Sequence, residues 1–294
     1  MLGELYRWGR LLHVSLWIKN VIVFAPLFFS GSFFCVDLLS RSLWTFFALC
    51  LMSSSVYCFN DIVNAGNDTI HSARSYRPIA DRAITSAEGY VLMFVCAILG
   101  ILVIAVTGAE LSLFVIISAY WLLNIVYSLW LKRIAVIDIT CISISLVLQA
   151  LVGGLAIGIV VSQWLLLMTY LLAMFLALIK RYDNFLIAGK TGEGLCESTN
   201  GYSCNFVSIA MTIVAAVMLV CYVMYTMSGE VAHRFGTPYV FITSLWVLIA
   251  VLRFLQVTIV FNGDVSHTRM IITDRFLWLC FVGWLFTFFL IIYS

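Results

Sequence analysis

Nine apolar runs, about 15–34, 42–60, 88–108, 111–131, 136–158, 162–179, 205–228, 238–260 and 275–293, fill most of this 294-residue chain. A helix of such length crosses the roughly 30 Å hydrocarbon core of a bilayer. The runs are continuous rather than alternating, which excludes a strand-built barrel. Hydrophobic residues make up 64% of the chain and charged residues 10%, more apolar surface than a soluble core of this size could hide. The sequence therefore predicts an all-α, polytopic membrane protein of nine transmembrane helices. The first run is the most interrupted, by Lys19, Asn20 and Pro26. Glu4, Arg7 and Arg10 occupy the first ten residues and no small-residue cleavage site follows, so no cleaved signal peptide is expected.

The cations set an orientation. With nine spans, fourteen of the sixteen Lys and Arg fall in or near loops on one side, and only Arg41 and Arg234 on the other. The positive-inside rule then places the N-terminus in the cytoplasm and the C-terminus outside a cytoplasmic (inner) membrane. Eleven of the fourteen acids, all but Asp37, Glu110 and Glu230, share the cytoplasmic side. A merely basic anchor would not collect acids as well. Nine cysteines without a C-x-x-C pair, most of them inside spans, read as small apolar residues rather than disulfides or metal ligands.

Two cytoplasmic loops are long, 61–87 and 180–204, and each begins with a polar cluster at the end of a span. In the first, Asp61, Asn64 and Asp68 are spaced i, i+3, i+7, one face of a helix continuing out of the second span. Asn60 lies beside them, and Arg74 and Arg77 follow. Hard oxygens on one face suit Mg²⁺, which bridges to substrate phosphates. Arginine forks match phosphate oxygens. Together they describe a diphosphate site; the alternative is a solvated membrane-edge loop whose acids pair its arginines. Because the cluster starts inside an apolar run, where polar groups are costly, a functional site is the better reading. As a membrane-edge feature, the acid pair is expected to matter little for stability.

Four further groups stand out. Lys19 and Asn20 interrupt the first run. Tyr127, Lys132, Arg133 and Asp138 bracket the short loop after the fourth. Lys180, Arg181 and Asp183 close the sixth. Each cation also has a plain reading as a flank obeying the positive-inside rule or snorkelling to the interface. His71 lies in the first long loop, while His13, His233 and His267 read as interfacial.

"NDIVNAGND" (60–68) with "HSARSYRPIA" (71–80) resembles the N-D-x-x-D-x-x-x-D motif and following basic segment of the UbiA superfamily of intramembrane prenyltransferases. "WIKNVIVFAPLFFSG" (17–31), "YSLWLKRIAVIDI" (127–139), "KRYDNFL" (180–186) and "TDRFL" (273–277) resemble, in order, segments of its polyprenyl-phosphate phosphoribosyltransferase branch. Asn64 stands where that pattern usually has Asp, and Gln149 where Arg is frequent. Only Asp183 matches the second acidic motif of the aromatic prenyltransferases, with Ile187 and Ala188 where its second acid would fall.

The resemblance implies a single UbiA-type transmembrane domain over 1–294 with a cytoplasm-facing active-site cavity. It implies Mg²⁺-dependent transfer of a 5-phosphoribosyl group from phosphoribosyl diphosphate to a polyprenyl phosphate, for cell-envelope glycan precursors. Asp61, Asn64 and Asp68 would hold Mg²⁺, with Asn60, Asp61 and Asp68 at the catalytic centre. Lys19, Asn20, Arg74, Arg77, Tyr127, Lys132, Asp138, Lys180 and Arg181 would bind substrate. The alternative in the same superfamily is prenyl transfer from a prenyl diphosphate to an aromatic acceptor. A transporter would place ionisable groups near mid-membrane in several spans, whereas here they gather at one end. No nucleic-acid partner is expected, and a homo-oligomer is compatible with the sequence.

Overall fold

The computed structural model describes residues 8–68, 77–107, 110–191, 201–259 and 274–293, apart from the side chains of 67–68, 187–191, 230, 234 and 292–293. All regular structure among them is helical: α1 (Val14–Phe29), α2 (Val36–Asp68), α3 (Ser86–Val106), α4 (Leu111–Leu129), α5 (Ile137–Ala156), α6 (Gln163–Thr191), α7 (Cys204–Thr226), α8 (Gly229–Phe235), α9 (Pro238–Ile259) and α10 (Arg275–Tyr293). Seven helices, α2–α7 and α9, are long and apolar enough to span a membrane, and Val14–Phe29 and Arg275–Ile291 are shorter apolar helices. Among the described residues the nine apolar runs thus appear as nine apolar helices, two of them short for a full crossing. The chain is a multi-pass membrane protein. It forms two compact units: one of residues 1–132 and 144–162, the other of 133–143 and 163–294.

In the first unit α2 is the organising element. Its 33 residues span about 50 Å at 1.5 Å per residue, well beyond the apolar core. The surplus projects as helix, not loop. Three consecutive buried serines of α2 face three different partners. Ser53 Oγ accepts from Asn20 Nδ2 at 3.1 Å, Ser54 Oγ from Trp17 Nε1 at 3.0 Å, and Ser55 Oγ from Trp121 Nε1 at 3.1 Å. Small hydroxylated residues let helices approach closely and supply hydrogen bonds where water is absent. A Cβ on Gly100 of α3 would lie 2.9 Å from Met52 of α2, and one on Gly153 of α5 only 2.2 Å from the Val23 carbonyl oxygen of α1.

The Val14–Phe24 part of α1 is a 3₁₀ helix, unusually long for that geometry. Pro26 follows it and brings no N–H to continue an α-helical ladder. The Ala25 N–H bonds back only three residues, to Ile22. Helix α3 starts at a capping box. The Thr85 side chain accepts from the Glu88 N–H, and the Glu88 carboxylate accepts from the Thr85 N–H, satisfying two donors of the first turn.

The second unit packs α6, α7 and α9 around Phe175, Leu178, Ile179, Met211 and Phe254. Away from this core, Trp284 Nε1 donates to the Tyr222 hydroxyl at 2.7 Å, and that hydroxyl also pairs with Thr243 Oγ1 at 2.8 Å, joining α7, α9 and α10. The outward apolar side chains on most helices, such as Val91, Leu122 and Leu279, are the lipid-facing surface of such a fold.

Candidate active site

The surplus of α2 carries Asn60, Asp61, Asn64 and, as its last helical residue, Asp68. Asp61 is 2% exposed. Its two oxygens have separate donors: Arg77 Nη1 lies 2.8 Å from Oδ1, and His13 Nε2 lies 2.9 Å from Oδ2. An ionised carboxylate only accepts, so the histidine nitrogen donates. The acid expected at an exposed membrane edge is therefore buried and paired, and its removal also concerns stability.

Arg77 is fixed by its own local turn. Asp81 N–H bonds to the Arg77 carbonyl at 2.9 Å and Ile84 N–H to that of Pro78 at 3.0 Å. The buried Ile79 and Ile84 pack with Leu11, Cys58 and Met93. The apolar residues of "RPIADRAI" thus anchor the turn, and the guanidinium projects from it to Asp61.

One turn along α2, the Asn64 side chain is a bridge. Its Nδ2 donates to Asn60, at 2.8 Å to the main-chain oxygen and 2.9 Å to Oδ1, and its Oδ1 accepts from Lys132 Nζ. An amide both donates and accepts in this way, which a carboxylate at this position could not. Lys132, in the turn Leu131–Arg133, is buried, and Tyr127 at the end of α4 is half-buried. Asp61, Asn60, Asn64, Arg77 and Lys132 are thus brought together at one end of the first unit. Arg74 and the Asp68 side chain lie outside the described residues.

Lys19 is exposed on α1. The buried Asn20 instead gives its amide to Ser53 Oγ and, at 3.3 Å, to Cys50 Sγ. Ser53, the nearer of the two to Asp61, precedes it by more than two helical turns, about 12 Å, so these bonds of Asn20 do not reach the Asp61 cluster. Gln149, also buried, has an Oε1 with no hydrogen-bond partner among the described residues.

The second unit holds its own polar knot. Asp138, fully buried at the start of α5, accepts from Arg181 Nε at 2.8 Å and from the Tyr202 hydroxyl. That hydroxyl accepts in turn from the Val136 N–H at 2.6 Å. Burial, and then the hydrogen bond to the carboxylate, push the Tyr202 phenol above its usual range, so it remains a donor. The knot fixes the end of α6. Successive helical side chains diverge by about 100°, and Lys180, next to the buried Arg181, is exposed. Asp183 is buried.

Two of these residues escaped the sequence reading. His13 read as interfacial, and Tyr202 carried no signal. Their partners lie 48 and 64 residues away, and no local spacing reports such contacts.

The donor set suits a hard cation. Asp61 and Asn64 present oxygens that already draw a histidine N–H, a guanidinium and an ammonium. Among the described residues no three His, Cys, Asp or Glu side chains converge. Asp61 and the amide oxygen of Asn64 can hold a metal ion with its waters and substrate phosphates, as Mg²⁺ prefers, with Asp68 next on the same helical face.

Long apolar helices, one of which carries in its last turns a buried carboxylate and an amide met by cations from neighbouring turns, define a membrane-embedded enzyme. The chain belongs to the UbiA prenyltransferase family, whose model matches residues 20–189. It is similar to the decaprenyl-phosphate phosphoribosyltransferase of Mycolicibacterium smegmatis, 28% identical over 92% of this chain and 87% of that protein. It is also similar to the enzyme of that name from Corynebacterium glutamicum, 26% identical over 94% and 84%. The fold matches that of a UbiA homolog from Archaeoglobus fulgidus bound to GPP and Mg²⁺, with TM-score 0.68 and 16% identity over 98% of this chain and all of that one. It matches the same homolog bound to Cd²⁺ equally, with TM-score 0.68 and 14% identity over the same shares.

Proposed function

We propose that this enzyme transfers the 5-phosphoribosyl group of phosphoribosyl diphosphate to a polyprenyl phosphate at the cytoplasmic face of a cytoplasmic membrane, in a Mg²⁺-dependent reaction that supplies cell-envelope glycan precursors. The observation that carries the reading is the buried Asp61 carboxylate on the projecting end of α2, paired with Arg77, with Lys132 on Asn64 one turn along. The similarity to two decaprenyl-phosphate phosphoribosyltransferases over most of the chain supports the choice of donor and acceptor.

The chemistry follows from the substrates. A phosphate monoester oxygen of the lipid attacks C1 of the ribose, and the bond from C1 to the diphosphate oxygen breaks, its electron pair leaving with diphosphate. The second pKa of a phosphate monoester is near 6, so the nucleophile is ionised at neutral pH and no strong base is required. The charge developing on diphosphate is the larger demand, met by preorganised cations. Arg77 and Lys132 serve this role in the first unit, with Arg74 and Lys19 as further phosphate contacts. Asn60 and Tyr127 hydrogen-bond the donor. Asp61, Asn64 and Asp68 would hold Mg²⁺, which supplies Lewis acidity toward the leaving group. In the second unit Arg181 and Asp138 fix the end of α6 that carries the exposed Lys180.

Purified protein incubated with phosphoribosyl diphosphate labelled in the ribose and a polyprenyl phosphate should move label into the lipid fraction and release one diphosphate per label. Label that stays in the aqueous phase, with diphosphate released instead from a prenyl diphosphate and an aromatic acceptor, would overturn the reading.

A further inference from the structure

We propose that His13 is a positioning residue for Asp61, setting the carboxylate for cation binding; this rests on the metal reading of the site. Three observations converge on it. Its Nε2 lies 2.9 Å from Asp61 Oδ2 across 48 residues of sequence. Its backbone sits in the left-handed region, at φ 50° and ψ 43°, which only a few per cent of non-glycine residues adopt. Its ring lies 5.3 Å from that of Tyr57, one turn before Asp61 on α2. Strained backbone that tertiary structure holds in place tends to mark functional positions.

The carboxylate geometry says what the strain achieves. Arg77 holds Oδ1 and His13 holds Oδ2. With one donor on each oxygen, the carboxylate plane cannot turn about its Cβ–Cγ bond, and each oxygen keeps a second lone pair. Without His13, the group would pivot on Arg77 alone. Arg77 comes from a turn, whereas His13 sits where the chain enters α1, and α1 is bound to α2 through Trp17 and Asn20. Groups that orient a ligating side chain typically change metal affinity 10–100-fold when removed.

The test is Mn²⁺ binding to the full-length protein in nanodiscs without substrate, read by loss of the free-ion EPR signal. His13→Phe keeps the ring against Tyr57 and removes only the N–H. His13→Gly removes the side chain but relieves the left-handed backbone, so loss of fold is not its expected consequence. Both should bind Mn²⁺ about 10–100-fold more weakly. His13→Gln, whose amide reaches near the Nε2 position, should recover most of the affinity. Wild-type affinity in either the Phe or the Gly variant overturns the proposal, as does a Gln variant as weak as Phe. A wild-type protein that binds no Mn²⁺, or an Asp61→Asn variant that binds as wild type does, overturns the metal reading and this inference together.

Discussion

Arg181 donates through Nε to Asp138 Oδ2 at 2.8 Å, across 43 residues of sequence, and their side chains are only 5% and 1% exposed. Breaking such a pair from one side strands a buried charge, at a cost of about 3–5 kcal/mol. Arg181→Met should therefore lower stability strongly. Adding Asp138→Asn should recover most of the loss, because the amide oxygen still accepts from Tyr202. Denaturant unfolding of the detergent-solubilised protein checks this; a single variant within 1 kcal/mol of wild type would show that the pair is solvated.

Asp61→Asn should leave about 1% of wild-type transfer or less, because it removes the one buried carboxylate among the described residues of the site, and a neutral amide binds Mg²⁺ more weakly and pairs less well with Arg77. It should also cost about 1–3 kcal/mol of stability, the usual penalty for an under-satisfied buried group. Activity and unfolding measured on one preparation check both effects. Full turnover in the variant would remove Asp61 from the catalytic centre.

Gly153→Ala tests the approach of α1 to α5. The added Cβ would sit 2.2 Å from the Val23 carbonyl oxygen, and backbone cannot yield as a flexible side chain does. Overpacking of this kind costs about 1–3 kcal/mol. Gly9→Ala, where nothing lies within 4 Å of the new atom, should be near neutral. Equal thermal midpoints for the two variants would contradict the close approach.

Reporter fusions test the orientation read from the cations. A fusion at Gly192 should report cytoplasmic, and fusions at Val160 and after Ser294 extracytoplasmic. The short α1 and α10 make the last of these the most informative. A cytoplasmic signal after Ser294 would mean that one of the two does not cross.

The helices were legible because a membrane helix announces itself in one dimension: continuous apolar runs fix where α2–α7 and α9 lie. So was the polar face of α2, since i, i+3, i+7 spacing survives into the helix that projects from the membrane. The 3₁₀ winding of Val14–Phe24 in α1 was less so, because an apolar run looks alike in either winding. The contacts of His13 with Asp61, Lys132 with Asn64, and Tyr202 and Arg181 with Asp138 span 43 to 68 residues. Residue types named most of these side chains as candidates, but only tertiary packing decides which of them meet.

Asn64→Asp separates the two roles open to that position. Asn64 now donates to Asn60 and accepts from Lys132; an aspartate cannot donate, so it gives up the Asn60 bond and pairs with the ammonium. If position 64 ligates the metal, a second carboxylate one turn from Asp61 strengthens Mg²⁺ binding, and half-maximal activity should need several-fold less Mg²⁺ at saturating donor. The ion pair with Lys132 also withdraws a cation from the donor's diphosphate. The KM for phosphoribosyl diphosphate should therefore rise several-fold at saturating Mg²⁺, a loss of about 1 kcal/mol of binding. The two titrations are independent and predict opposite shifts. A Mg²⁺ midpoint that moves upward would take Asn64 out of the metal set and leave it as the bridge between Asn60 and Lys132. An unchanged donor KM would mean that Lys132 does not act on the donor.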